Sequence, residues 1–261
     1  MSLSATYSGA NGWLLEWAVD TGPGTTALRV LVDPWLTGPL VFPPGPWLLR
    51  GDLLQSMPLP GSLDLLLLCQ GLADHCHPPS LALLPKDLPV VASRTAAAKA
   101  RQLGFARVSA LLPGEGFRLG DLEITATAGA PVPQVENGYL LRHPGGSLYL
   151  EPHGFLAADL PAQDLDAVIT PVMDLGLPLS GALVRGRKVL PQLLERFQPG
   201  TVLASSTGGD VRFSGVLAGL LRSEGSLEAA GVTVRQSAVP GARLIDPVPG
   251  VIYELPVRAP A

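Results

Sequence analysis

Apolar residues fall along this chain in two distinct patterns, and the difference between them predicts most of its elements. "WLLEWAV" (13–19) and "ALRVLVD" (27–33) are short β-branched and aromatic runs separated by "DTGPGTT", the signature of two antiparallel strands. "LDLLLLC" (63–69) and "LDAVITPV" (165–172) hold apolar residues at nearly every position, as expected of strands buried on both faces. Between and after these runs, "PPSLALLP" starts with proline and reads as a short helix, followed by the strand "LPVVAS". The Ala-rich "RTAAAKARQLGF" reads as a helix stopped at Gly104.

The middle of the chain is strand-rich. "RVSALL", "GFRLGDLEITATAG", "NGYLLRH" and "SLYLEP" are predicted strands, with "HPGGS" as a hairpin turn. "RKVLPQLLERFQPGTVLASS" predicts helix, stop and strand, then a further helix near 214–230 and strands at "VTVRQ", "ARLID" and "VIYEL". Each half thus runs strands, helix, strand, an order that fits two sheets face to face with helices outside. The expected fold is α/β (α+β), a four-layer αββα sandwich forming a single domain over 1–261.

Composition narrows the function classes. Of the 261 residues 47% are hydrophobic and only 15% charged, which suits a well-buried core rather than a disordered chain. A net charge of −4 offers no electrostatic reason to expect nucleic acid as a partner. No window approaches a membrane-spanning apolar length, and the first residues lack a secretory leader's pattern, so a cytoplasmic location is expected. Cys69 and Cys76 are the only cysteines and make no disulfide framework. Dinucleotide, P-loop and nucleophile-elbow fingerprints are absent.

The chemistry-bearing residues gather in "CQGLADHCHPP" (69–79). Asp74, His75 and His77 suggest metal ligation, while an Asp before proline equally suits a helix cap. Cys76 reads as a buried filler or, turned inward, as a thiolate ligand. His153 and Glu151 follow a strand in "SLYLEPHG", whereas His143 belongs to a turn. Gly208, Gly209 and Asp210 in "SSTGGD" read as a turn, with an anion-binding nest as the alternative. The Pro-rich "PWLTGPLVFPPGPWLL" (34–49) reads as an irregular segment packed on the core. Its other reading is a lid or subunit contact, with Trp35 and Trp47 bounding a substrate pocket.

"YSGANGWLLEW", "LRVLVDPWL" and "LDLLLLCQGLADHCHPPSLALLPKDLPVVAS" together resemble the metallo-β-lactamase superfamily, in particular its branch of metal-dependent hydrolases. "GSLYLEPHG" followed by "LDAVITPV" is a weaker match to that family's later hairpin. The resemblance implies the αββα fold and a His-x-His-x-Asp-His loop, whose positions here carry Gln70, Leu72, Asp74 and His75. Leu72 has no donor and Gln70 only an amide oxygen, so the loop keeps the Asp-His half and loses the two-histidine half. The family's early histidine falls near Ala10 and its late one near 203–209, where there is none. Its metal-bridging acid falls near Glu151 to His153, and Asp33 would hydrogen-bond the metal loop, with Gln70 also beside the ligands.

Two functions follow as expectations. One is a hydrolase with an at most mononuclear site, where Asp74, His75 and His153, completed by Glu151 or His77, hold zinc or iron. Asp74 would be its catalytic residue, and the substrate a small ester, amide or phosphoester. The other is a metal-free, non-catalytic descendant that binds a small ligand or protein partner, with the 34–49 loop as a surface for oligomers.

Overall fold

A computed structural model describes residues 2–20, 25–131, 136–178, 181–205 and 210–258. Two seven-stranded sheets dominate it. The first has the spatial order Ile252–Leu255, Ser2–Gly9, Gly12–Asp20, Thr25–Val32, Leu65–Leu68, Val90–Ala92, Val108–Ala110. Its first four strands pair antiparallel and the rest parallel. The second runs Arg243–Ile245, Thr201–Ser205, Ala167–Pro171, Gly146–Leu150, Asn137–His143, Leu122–Ala128, Gly116–Leu119. Here too an antiparallel meander joins a parallel set.

Four helices flank the sheets: α1 (Pro78–Ala82), α2 (Arg94–Gln102), α3 (Gly186–Phe197) and α4 (Leu227–Arg235). Successive residues of a strand face opposite ways, so a strand between two layers must be apolar throughout. Leu65–Leu68 shows this directly. Leu65 and Leu67 enter the central core between the sheets, while Leu66 and Leu68 enter the core under α1 and α2. The second sheet repeats the arrangement: Ala167 and Ile169 face the central core and Val168 faces α3 and α4. Complete burial of one such leucine contributes roughly 1.5–3 kcal/mol, so a polar residue at any of these positions would be costly. The layers are therefore helix, sheet, sheet, helix, an α+β sandwich as the pattern predicts.

The C-terminal part departs from expectation. The segment near 214–230 is not one helix but the strand Val211–Ser214, a 3₁₀ turn at Ala218–Leu220, the strand Arg222–Glu224 and then the start of α4. "VTVRQ" lies at the end of that helix instead of forming a strand. Ser226 caps α4 by accepting the Ala229 N–H at 3.1 Å, and Ala230 and Val234, one turn apart, bury against the second sheet's outer face. The helical spacing of those two residues overrides the β-branched pair Val232 and Thr233.

The 34–49 segment is more ordered than its prolines suggest. Leu40–Val41 pairs with Arg50–Leu53, which pairs with Val211–Ser214, making a small three-stranded sheet. Trp35 is fully buried, while Trp47 is 62% exposed. Among the described residues no helix is long and apolar enough to cross a membrane.

Candidate metal centre

The loop after Leu65–Leu68 is anchored before it reaches its polar residues. Asp33 ends the strand Thr25–Val32 in a left-handed conformation, φ 40°, and its Oδ1 accepts the Cys69 N–H at 2.8 Å. The Cys69 carbonyl accepts from Asn137 N at 3.1 Å and the Leu68 carbonyl from Tyr139 Oη at 3.0 Å, which ties the loop to the second sheet. The chain then turns tightly, with the N–H groups of His75 and Cys76 both donating to the Leu72 carbonyl at 3.1 and 2.7 Å. That turn delivers Asp74 and His75 to one side.

His75 is fully buried between carboxylates. Its Nδ1 donates to Asp33 Oδ2 at 2.8 Å, and Nε2 lies 3.3 Å from Asp74 Oδ2. Burial works against a charged imidazole, yet Asp74 and Asp33 together hold the His75 pKa well above its ordinary value. Asp74 is pushed the opposite way: burial would raise its carboxyl, but the His75 charge brings it below the usual range.

His153 arrives from the second sheet, in the turn that follows Gly146–Leu150. Its carbonyl accepts from Arg185 N at 2.9 Å, and Gly154, at φ +74°, packs against the backbone of Arg185 and Gly186. A Cβ at residue 154 would stand 2.7 Å from the Arg185 carbonyl carbon, so only glycine allows this approach. His153 Nδ1 donates to the Glu136 carboxylate, 2.8 Å from each oxygen, and its ring centre is 5.1 Å from that of His75. Burial, then the neighbouring His75 charge, lower its pKa.

Behind His153 lie two fully buried acids. Glu151 accepts the N–H groups of His153 and Phe155 on Oε2 and that of Ala130 on Oε1, at 3.2, 2.6 and 3.2 Å. Its pKa is raised well above the carboxylate range by burial and by the adjacent Glu136. Burial pushes the Glu136 carboxyl up to about 7.

Asp74, His75 and His153 thus place one ligand atom each within 4.8 Å of one another, as do Glu136, Glu151 and His153. The first set fits a divalent ion on three counts. Each histidine donates its Nδ1–H to a buried carboxylate, so Nε2 is the nitrogen left to bind an ion, once His75 has given up the proton it carries there. Asp74 Oδ1 is buried without a hydrogen-bond partner. His75 Nε2 faces both the Asp74 carboxylate and the Asn11 carboxamide, each at 3.3 Å, so polar groups of two elements converge on that nitrogen. A cation at that point would satisfy the imidazole and the carboxylate together.

Other expected residues stand elsewhere. His77 stands at the N-terminal boundary of α1, its Nδ1 2.9 Å from Ser80 Oγ and its Nε2 3.2 Å from the Pro39 carbonyl, with its ring against Trp35. Cys76 is buried in the apolar core beneath α1 and α2, where burial pushes its thiol up to about 12. Gln70 is fully buried in the same loop. Of the turn "SSTGGD", residues 206–209 lie outside the described residues. Two participants have no counterpart in the sequence reading: Glu136, a lone acid preceding "NGYLLRH", and Asn11 in "GANG".

Comparison with known proteins bears on the fold and the family. A family model described as Beta-lactamase superfamily domain matches residues 4–205. No curated protein is similar enough in sequence to match the chain. Among solved structures, isothiocyanate hydrolase from Delia radicum gut bacteria superposes with a TM-score of 0.65 at 15% identity, over 96% of this chain and 98% of that one. Igni18, a metallo hydrolase from the archaeon Ignicoccus hospitalis, gives 0.62 at 14% identity, over 97% and 99%. CmlA, a diiron beta-hydroxylase from Streptomyces venezuelae, gives 0.54 at 18% identity, and the match covers 80% of this chain but only 45% of CmlA. At such identities the structures establish a shared fold, while the family match extends over most of the sequence. On that evidence the chain belongs to the beta-lactamase superfamily domain family.

Proposed function

We propose that the protein is a metal-dependent hydrolase with a single-ion site formed by His75, His153 and Asp74. The observation that carries this reading is the pairing of each imidazole with its own buried carboxylate, Asp33 for His75 and Glu136 for His153. Such pairing fixes tautomer and ring orientation and makes the remaining nitrogen a better donor. Two imidazoles and one carboxylate leave coordination positions open, the arrangement a catalytic ion needs and a structural one lacks. Zinc and iron both accept this donor set.

A divalent ion bound there supplies Lewis-acid polarisation of an ester, amide or phosphoester oxygen. The chain's own residues do the remaining work. Asp33 and Glu136 keep protons at Nδ1 of the two histidines, and Asp74 balances the charge at their Nε2 side. Glu151 organises the loop of residues 151–155 through its three backbone hydrogen bonds, holding His153 in place. Similarity to a metallo hydrolase and an isothiocyanate hydrolase in fold supports the reaction class but leaves the substrate to experiment.

The test is elemental analysis of protein purified without a histidine tag, before and after reconstitution with zinc or ferrous iron. About one ion per chain, lost in Asp74→Ala and His153→Ala, is expected. Metal at background level even after reconstitution would overturn the proposal in favour of a metal-free binding protein.

A further inference from the structure

Asp210 lies far along the chain from the ion site, yet it grips the turn that borders it. The turn between Ser2–Gly9 and Gly12–Asp20 passes beside His75 and places the Asn11 side-chain nitrogen 3.3 Å from His75 Nε2. Its backbone is not one that the local sequence favours. Ala10 has φ 52°, a left-handed conformation that a residue with a Cβ adopts only under strain. Something outside the turn must hold it.

Asp210 Oδ2 accepts the Ala10 N–H at 2.7 Å and the Tyr7 hydroxyl at 3.1 Å. Tyr7 Oη is also 3.1 Å from the Ala10 carbonyl, so its single proton is shared between that carbonyl and the Asp210 carboxylate. The contact is close by construction: a Cβ on Gly9 would come within 2.9 Å of Asp210 Oδ2 and of a Leu53 methyl. Asp210 is held in turn, since its carbonyl accepts from Leu54 N at 2.9 Å and the next residues pair with Arg50–Leu53. A carboxylate rooted in the small sheet therefore clamps the turn that carries Asn11.

We propose that Asp210 is a positioning residue which, through the Ala10 amide, sets the Asn11 carboxamide against His75 Nε2 and so makes Asn11 a fourth polar group of the ion site. The inference rests on the proposed metal reading for its consequence but not for its geometry. When His75 and Asp74 hold a cation, a carboxamide at this distance offers its oxygen to the ion or its N–H₂ to a neighbouring oxygen. Either role requires the turn to stay where Asp210 keeps it.

The experiment is a double-mutant cycle on Asp210→Ala and Asn11→Ala, with Asp210→Asn as the conservative control. The first readout is the ¹⁵N resonance of His75 Nε2 in chelator-treated protein at one fixed pH, which needs no metal. The second is zinc affinity measured against a chromogenic chelator. Asp210→Ala and Asn11→Ala should each move the His75 resonance to a common position, and the double variant should move it no further. Each should weaken zinc binding about 10-fold, again without additivity, as loss of an outer partner of a ligand does. Asp210→Asn keeps an oxygen for the Ala10 amide and should restore both readouts. An unmoved resonance in Asp210→Ala, or shifts that add in the double variant, would overturn the proposal. If the wild type binds no zinc but the resonances still move together, the metal reading fails and the positioning role stands.

Discussion

Asp33→Asn isolates what the carboxylate behind His75 contributes. Asp33 is 1% exposed, and its two oxygens have separate partners: Oδ1 takes the Cys69 N–H at 2.8 Å and Oδ2 the His75 Nδ1–H at 2.8 Å. Asparagine matches its shape and tolerates φ 40°, so the backbone need not move. The carboxamide oxygen can still serve Cys69, but the position facing His75 becomes an N–H₂ group. Two donors cannot face each other, so in the variant Nδ1 loses its proton and the one proton of the neutral imidazole stays on Nε2, where an ion would bind. A hydrogen bond to a charged group contributes about 1.5–3 kcal/mol, and that is the stability the metal-free variant should lose at pH 6. Ion affinity should fall about 10–100-fold, the usual cost of removing a partner of a ligating histidine.

The loss depends on pH in a definite direction. Because the folded protein holds the His75 pKa above 6.5, it binds that proton more tightly than the unfolded chain does. The resulting stabilisation is complete at low pH and drains away as pH rises through the folded value. The gap between wild type and Asp33→Asn, measured by urea denaturation in chelator, should therefore be widest near pH 6 and shrink toward pH 9. Glu136, raised mainly by its own burial, acts in the same direction in both proteins. A gap that is constant or grows with pH would refute the reasoning, as would wild-type zinc affinity in the variant.

Other consequences are simpler to check. Because metal-free His75 holds a proton where the ion would bind, zinc binding should release about one proton per ion near neutral pH, measurable by calorimetry in buffers of different ionisation heat. His77→Ala should leave metal content intact while costing about 1–3 kcal/mol in thermal or urea unfolding, since it removes contacts to Ser80 and the Pro39 carbonyl. Trp35→Ala should cost about 3–5 kcal/mol, because the ring is fully buried. Trp47→Ala, on an exposed side chain, should change stability by less than about 0.5 kcal/mol.

The sandwich was legible because its signals are local and repeated. Four leucines in a row can be buried only between two layers, and "NGYLLRH" coincides with the observed strand Asn137–His143. Errors arose where a weak cap competes with a β-branched run, as at Ser226 and "VTVRQ". The same contrast runs through the site. Asp74 and His75 are adjacent in sequence and were readable as a pair, and Asp33 stood out as an acid at a strand end. Glu136 could not be assigned a role, because its partner His153 lies 17 residues on and meets it only once the second sheet's meander has formed. Asn11 depends on a contact spanning 64 residues, and the clamp on its turn on one spanning 200. The proposed donor set is therefore built across both sheets. The family motif counts ligands along one loop, whereas here the second imidazole, and the carboxylate orienting it, come from the opposite sheet. Gln70 and Leu72 are not needed for that convergence, because Asp33, Glu136 and Glu151 hold His75 and His153 from outside the loop.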